Sequence, residues 1–258
     1  MAQYALVTGA SKGIGKCIVE QLAKRGVNVL LVARSQSLLQ QQCAALQTQH
    51  GIKANYLAID LAQPNAANQV YKWCDEKKYH VQILVNNAGY GLSGLFANYT
   101  PQQHVEMLQV NITALVQLTA LFLPQIKQQG KGYILNIASS AAYQAVPYLS
   151  AYAASKSFVL SFSRGLHYEL KRTNVSVTCI SPGATDTDFP NRANVGEKGK
   201  KAAAKLNMTP EAVAVQAVKA MYAGKKEVIT GFVNKLGAAL AWIAPKGVAE
   251  KAAASIYE

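Results

Sequence analysis

The sequence predicts an α/β fold, a doubly wound parallel sheet in a single domain of 258 residues. Three observations lead there. Short runs rich in Val, Ile and Leu alternate with segments whose apolar residues recur at helical spacing. The strand-like runs lack strict polar alternation, as expected where both faces of a strand are buried. No Pro/Gly/Ser-rich linker and no repeat divides the chain, and 50% hydrophobic against 15% charged residues suits one sizeable core. Strands that alternate with helices give right-handed crossovers, and such sheets bind ligands at the carboxyl ends of their strands.

Each element follows from local signals. YALVTG (4–9) is a short buried run, and the helix over 14–26 stops at Gly26. VNVLLVAR (27–34) is a second strand, and the helix of 35–51 opens on Ser35 as its cap. KANYLAIDL (53–61) is a third strand, followed by a helix to about Tyr79, and VQILVNNAG (81–89) is a fourth. A long helical stretch at 101–129 precedes the strand GYILNIAS (132–139), and a helix through 152–172 precedes VSVTCISPG (175–183). Residues 209–231 read as a helix and a last strand, KEVITG (226–231). Between them, 185–208 reads as a mobile polar lid over the site. The tail, 232–258, continues past the last strand as a packed helix over a hydrophobic pocket, a subunit contact or an interfacial anchor, with packing or subunit contact preferred.

Composition excludes several classes. MAQYALVTGAS runs straight into a strand without a basic region or cleavage site, so no targeting signal is expected. The apolar stretch 112–124 and the tail segment 236–244 are both too short to span a bilayer. Cys17, Cys43, Cys74 and Cys179 are scattered, which predicts neither disulfides nor zinc and fits a reducing cytoplasm. The formal charge is +13 and is somewhat denser after residue 190. No arginine-rich run or helix-turn-helix pattern accompanies it, so no nucleic-acid partner is predicted; a phosphorylated cofactor, an acidic substrate or solubility alone explains the sign equally well, and charge decides little.

Two stretches bear on chemistry. TGASKGIG (8–15) joins the first strand to the first helix: Gly9 permits a tight turn, Gly13 lets backbone approach a phosphate, and Gly15 lets the helix pack closely. Asp60, at the end of the third strand, can hydrogen-bond an adenine amine or cap the next helix. SAYAASK (150–156) sets Tyr152 and Lys156 one helical turn apart on one face. A free tyrosine titrates near pH 10, and a nearby cation favours its phenolate.

In these motifs the chain resembles the short-chain dehydrogenase/reductase family, over about residues 3–190. The family's T-G-x-x-x-G-x-G is Thr8–Gly15, its N-N-A-G is Asn86–Gly89, its catalytic asparagine is Asn111, and its serine thirteen residues before the tyrosine is Ser139. Its Y-x-x-x-K is Tyr152 and Lys156, and its P-G turn with a later threonine is Pro182, Gly183 and Thr187. The resemblance implies a Rossmann fold and a homodimer or homotetramer. It also implies that Tyr152 donates a proton to a carbonyl while a nicotinamide cofactor supplies hydride. Lys156 would bind the nicotinamide ribose, Ser139 (or the adjacent Ser140) would orient the substrate oxygen, and Asn111 would hold a water that links Lys156 to solvent or simply satisfy buried backbone. The implied cofactor contacts are Thr8, Gly9, Ser11, Lys12, Gly13, Ile14, Gly15, Arg34, Asp60, Leu61, Asn87, Ala88, Gly89, Tyr152, Lys156, Pro182, Gly183 and Thr187.

The second strand ends on Ala33 and Arg34 with no acid, where a carboxylate would bind ribose hydroxyls and repel a 2′-phosphate. Arg34 and Lys12 therefore favour NADP(H). The expected activity is interconversion of a small-molecule ketone or aldehyde with its alcohol, and the tail, similar to that of some family members, points to a bulky apolar substrate. A 3-oxoacyl reductase and a non-catalytic NADP(H)-binding protein are the alternatives.

Overall fold

Along each strand, neighbouring side chains enter opposite layers, and that alternation decides where the helices sit. The computed structural model describes residues 2–204 and 207–257; Met1, Lys205, Leu206 and Glu258 lie outside it. The first elements are β1 (Gln3–Thr8), α1 (Gly13–Ala23), β2 (Asn28–Ala33), α2 (Gln36–His50), β3 (Ala54–Ala58), α3 (Ala66–Glu76) and β4 (His80–Asn86). Then come α4 (Pro101–Leu108), a π turn (Gln109–Thr113), α5 (Ala114–Gln128), β5 (Gly132–Ile137), α6 (Ser150–Glu169) and β6 (Val175–Ser181). The last quarter holds α7 (Phe189–Arg192), α8 (Glu197–Ala204), α9 (Pro210–Tyr222), β7 (Glu227–Ile229), α10 (Phe232–Ile243) and α11 (Lys246–Tyr257).

The seven strands form one parallel sheet in the order β3-β2-β1-β4-β5-β6-β7. Ala5, Val7, Val29, Leu31 and Val85 point into a layer shared with α1, α2 and α9. Tyr4, Leu6, Leu30, Val32 and Leu84 point into the other, shared with α3, α5 and α6. Both faces are covered, which explains the near-continuous apolar strands. The order reverses between β1 and β4, so their carboxyl ends open a crevice. This is a Rossmann fold.

Three expectations change in detail. β3 stops at Ala58, β4 at Asn86 and β6 at Ser181, so Asp60, the Asn87–Gly89 stretch and the Pro182–Gly183 turn all fall in loops just past the sheet. Ser35 holds the N-cap position of α2 but makes no side-chain cap bond. The long helix of 101–129 is interrupted by the π turn around Asn111. By length and composition Pro101–Gln128 could cross a membrane. Here Leu118, Phe122 and Ile126 bury it in the second layer beneath the sheet, as in a core helix.

The segment read as a polar lid contains α7, α8 and an isolated bridge between Thr185 and Met208. The tail forms two helices with different surroundings. Ala253 of α11 joins Met107, Val146, Leu149 and Tyr152 in a small apolar cluster. α10 leaves Phe232, Leu236, Leu240, Trp242 and Ile243 exposed.

Candidate active site

A cleft of about 770 Å³ runs across the carboxyl ends of the strands. One end is the turn between β1 and α1. Gly9 and Gly13 adopt left-handed backbone, φ 64° and 55°, which favours glycine. A methyl at Gly15 would lie 2.3 Å from the Gly9 oxygen, so only glycine lets α1 close on the turn. The Asn87 Nδ2 group donates to the Thr8 and Gly9 carbonyls, at 2.9 and 3.1 Å. The Thr8 hydroxyl accepts from the backbone N–H groups of Asn87 and Ala88 and donates to the Val85 carbonyl. This buried hydroxyl thus ties β1 to β4, with its hydrogen-bonding capacity spent inside the protein.

Next to it lies a buried polar network. Asn86 Nδ2 donates to Thr119 Oγ1 and Asn136 Oδ1, and Asn136 Nδ2 donates to Ser163 Oγ. These bonds join β4 and β5 to α5 and α6. Among the described residues only Asn86 Oδ1 of this chain of bonds is buried without a partner, so the tie runs through the Asn86 amide N–H groups. Asn86 is therefore a sheet-to-helix tie, and Asn87 both clasps the glycine turn and lines the cleft.

The other end is built by α6. Tyr152 lies in its first turn and Lys156 in its second, 8% and 5% exposed. The Lys156 ammonium lies 5.8 Å from the centre of the Tyr152 ring and donates to the Ile137 carbonyl at 3.0 Å. Burial lowers the Lys156 pKa to about 8, with the Cys179 thiol acting weakly the other way. At neutral pH the group is still mostly protonated.

Asn111 lies behind this pair. The π turn aims its side chain at the loop after β4, where Oδ1 accepts from Tyr90 N–H at 3.0 Å and Nδ2 donates to the Tyr90 carbonyl at 2.9 Å. Nδ2 also reaches Ser155 Oγ at 3.0 Å, and Ser155 donates to the Tyr152 carbonyl. A methyl at Gly89 would lie 3.1 Å from Asn111 Oδ1 and 3.2 Å from Lys156 Nζ, so the three positions converge. Ser139 Oγ accepts from Ala141 N–H and caps the short turn Ser140–Tyr143; both Ser139 and Ser140 face the cleft.

Most of the residues singled out in the sequence line this one cleft: Gly9, Ser11, Lys12, Gly13, Ile14, Arg34, Leu61, Asn87, Ala88, Gly89, Ser139, Tyr152, Lys156, Pro182, Gly183 and Thr187. Thr8, Gly15, Asp60 and Asn111 stand behind the lining. Asp60 Oδ1 accepts from the Ala62 N–H, and Oδ2 pairs with Arg34 at 3.7 Å, so it closes a turn and supplies a counter-charge, while the N-cap position of α3 falls to Asn65 and not to Asp60. Sequence reasoning missed Ser155, Phe189 and Arg192. Phe189 packs on Tyr152 with ring centres 5.2 Å apart, and Arg192 lies 4.3 Å over the Tyr90 ring. Both belong to the segment recognised only as a lid, where no spacing marks one residue above another.

The family model for short chain dehydrogenase matches residues 3–198. The ketoacyl reductase HetN of a Nostoc species is 33% identical over 251 residues, covering 94% of this chain and 85% of its own. The very-long-chain 3-oxoacyl-CoA reductase-A of Danio rerio is 34% identical over 186 residues, 70% of this chain and 58% of that protein. A short-chain dehydrogenase from Sphingobium yanoikuyae, solved in complex with NADPH, superposes with a TM-score of 0.83 at 30% identity, covering 97% and 94% of the two chains. Sheet order, glycine turn and cleft agree with these similarities: the chain belongs to the short-chain dehydrogenase family and is an oxidoreductase.

Proposed function

We propose that this oxidoreductase reduces a bulky, largely apolar ketone or aldehyde with NADPH, using Tyr152 as proton donor. The observation that carries the reading is a buried tyrosine and a buried lysine, one turn apart on α6, facing the same cleft as a glycine-rich turn.

The residues fit the cofactor. The turn at Gly9–Gly13, with a glycine at each end, leaves backbone open to a pyrophosphate at the start of α1. Arg34 and Lys12 supply charge for a 2′-phosphate, with no carboxylate at the end of β2 to oppose it. NADPH supplies the hydride when bound.

The chain's own groups handle the oxygen and its proton. Tyr152 gives its phenolic proton to the carbonyl oxygen as negative charge develops there. The Lys156 ammonium and the start of a 20-residue helix both favour the resulting phenolate. Ser139, with Ser140 beside it, donates a hydrogen bond to the same oxygen. Asn111 spends its side chain on Tyr90 and Ser155, so we assign it to holding α6 in register with the loop after β4. Leu149, Phe189, Pro190 and Val195 give the catalytic end of the cleft an apolar wall.

A 3-oxoacyl thioester is a second reading, favoured by the activities named for the Nostoc and Danio rerio relatives. Replacing Tyr152 by Phe tests the mechanism common to both. NADPH binding, followed by nucleotide fluorescence, should be retained, while turnover of a ketone and 3-oxoacyl panel falls at least about 100-fold. Turnover that survived the change would overturn the reading.

A further inference from the structure

The cations of the proposed 2′-phosphate site do not all come from the sheet. Lys12 in the glycine turn pairs with Asp188 at 3.6 Å, and Arg34 after β2 pairs with Asp60 at 3.7 Å. All four side chains are substantially solvent-exposed, and exposed pairs of this length contribute little. A phosphate dianion entering between Lys12 and Arg34 therefore displaces only weak partners.

A third cation faces the same place. Arg192, the last residue of α7, lines the cleft together with Lys12 and Arg34 and rests its guanidinium 4.3 Å over the Tyr90 ring. Partial loss of water and the charge of Arg34 both lower its pKa, while Tyr90, Asp60 and Asp188 act in the opposite direction. Arg34 and Arg192 thus line one cleft, and among the described residues Arg192 has no ion pair. Like charges gathered at a cleft mouth are stabilised by an anion placed between them.

The other end of α7 reaches the chemistry. Phe189 packs against the Tyr152 ring and would touch a side chain at Gly91, 3.0 Å away. One helical turn therefore links the cationic end of the cleft to the catalytic tyrosine.

We propose that Arg192 is a third, lid-borne ligand of the cofactor's 2′-phosphate, carried on the same short helix that already holds Phe189 against Tyr152. This rests on the NADP(H) reading above and adds a specificity residue to it. Arg192 is solvent-exposed and belongs to none of the core clusters, so its removal leaves the core untouched.

The test compares dissociation constants for NADPH and NADH, by nucleotide fluorescence, in the natural protein and in Arg192→Ala. The natural protein should bind NADPH more tightly. The variant should lose about tenfold in NADPH affinity and less than twofold in NADH affinity. A variant with unchanged affinities, or with equal losses for both nucleotides, overturns the role of Arg192 alone. A natural protein with no preference for NADPH overturns the NADP(H) reading, and this inference with it.

Discussion

The glycine-rich turn at 8–15 and the helix Phe232–Ile243 are both built largely from small and apolar residues, yet a methyl group added to each meets opposite surroundings. At Gly15 it would collide with the Gly9 backbone and Asn87, both at 2.3 Å, whereas at Gly237 nothing lies within 4 Å. The turn is held by Asn87 and Thr8, whose bonds run to β4 across the switch point. The helix touches the body through Asn234, packed against Gly183, and Ala241, and shows Trp242 to solvent, 81% exposed. Small residues in the first region mean contact; in the second they mean helix propensity and little else.

The largest expected effect breaks the first region. Gly15→Ala must push α1 off the turn or displace Asn87, so several kcal/mol of stability should be lost together with nucleotide binding. Urea denaturation and NADPH titration check both outcomes. A variant that binds NADPH normally would show that the turn has slack that the packing denies.

An intermediate effect separates function from stability at the site. Because burial depresses the Lys156 pKa from 10.5 to about 8, keeping it charged in the fold costs stability. That cost is fully present below about pH 8 and is relieved as the pH rises through 10.5, amounting to roughly 3 kcal/mol at most. Lys156→Met should therefore abolish turnover while holding or raising the melting temperature at pH 7. The stability gap between the variant and the natural protein should narrow from pH 8 to 10.5. A variant destabilised at every pH would mean that the bond to the Ile137 carbonyl outweighs desolvation.

The smallest effect has the opposite sign. Gly237→Ala in α10 should raise stability by up to about 1 kcal/mol, because it removes a flexible residue from a helix interior without creating a contact. A slight rise in melting temperature with unchanged NADPH affinity is expected. A loss would show that another surface packs on α10 in solution.

How far the sequence could be read follows the same divide. The strands were legible because burial on both faces leaves uninterrupted apolar runs, and Tyr152 and Lys156 because a four-residue spacing on a helix fixes a common face. Gly9 and Gly13 were legible because positive φ demands glycine. Thr8 was placed at the right strand end, Asp60 lies two residues past the end of its strand and Asn111 sits in a break of its expected helix, but the direction in which each side chain spends its hydrogen bonds is a long-range matter. Thr8 faces β4, Asp60 answers Arg34, and Asn111 is turned toward Tyr90 by a π turn that no spacing announces.

By itself the sequence determined the order of strands and helices, the turn that needs glycine and the tyrosine–lysine pair. Each depends on local sterics or on a period within one element, and both are written in neighbouring residues. Only the tertiary structure decided that α11 packs near Tyr152 while α10 leaves its apolar residues exposed, and that Phe189 and Arg192 line the same cleft as Tyr152 and Arg34. Those outcomes depend on contacts between segments far apart in the chain, whose net energy is set by which surfaces happen to fit, and no local pattern carries that information.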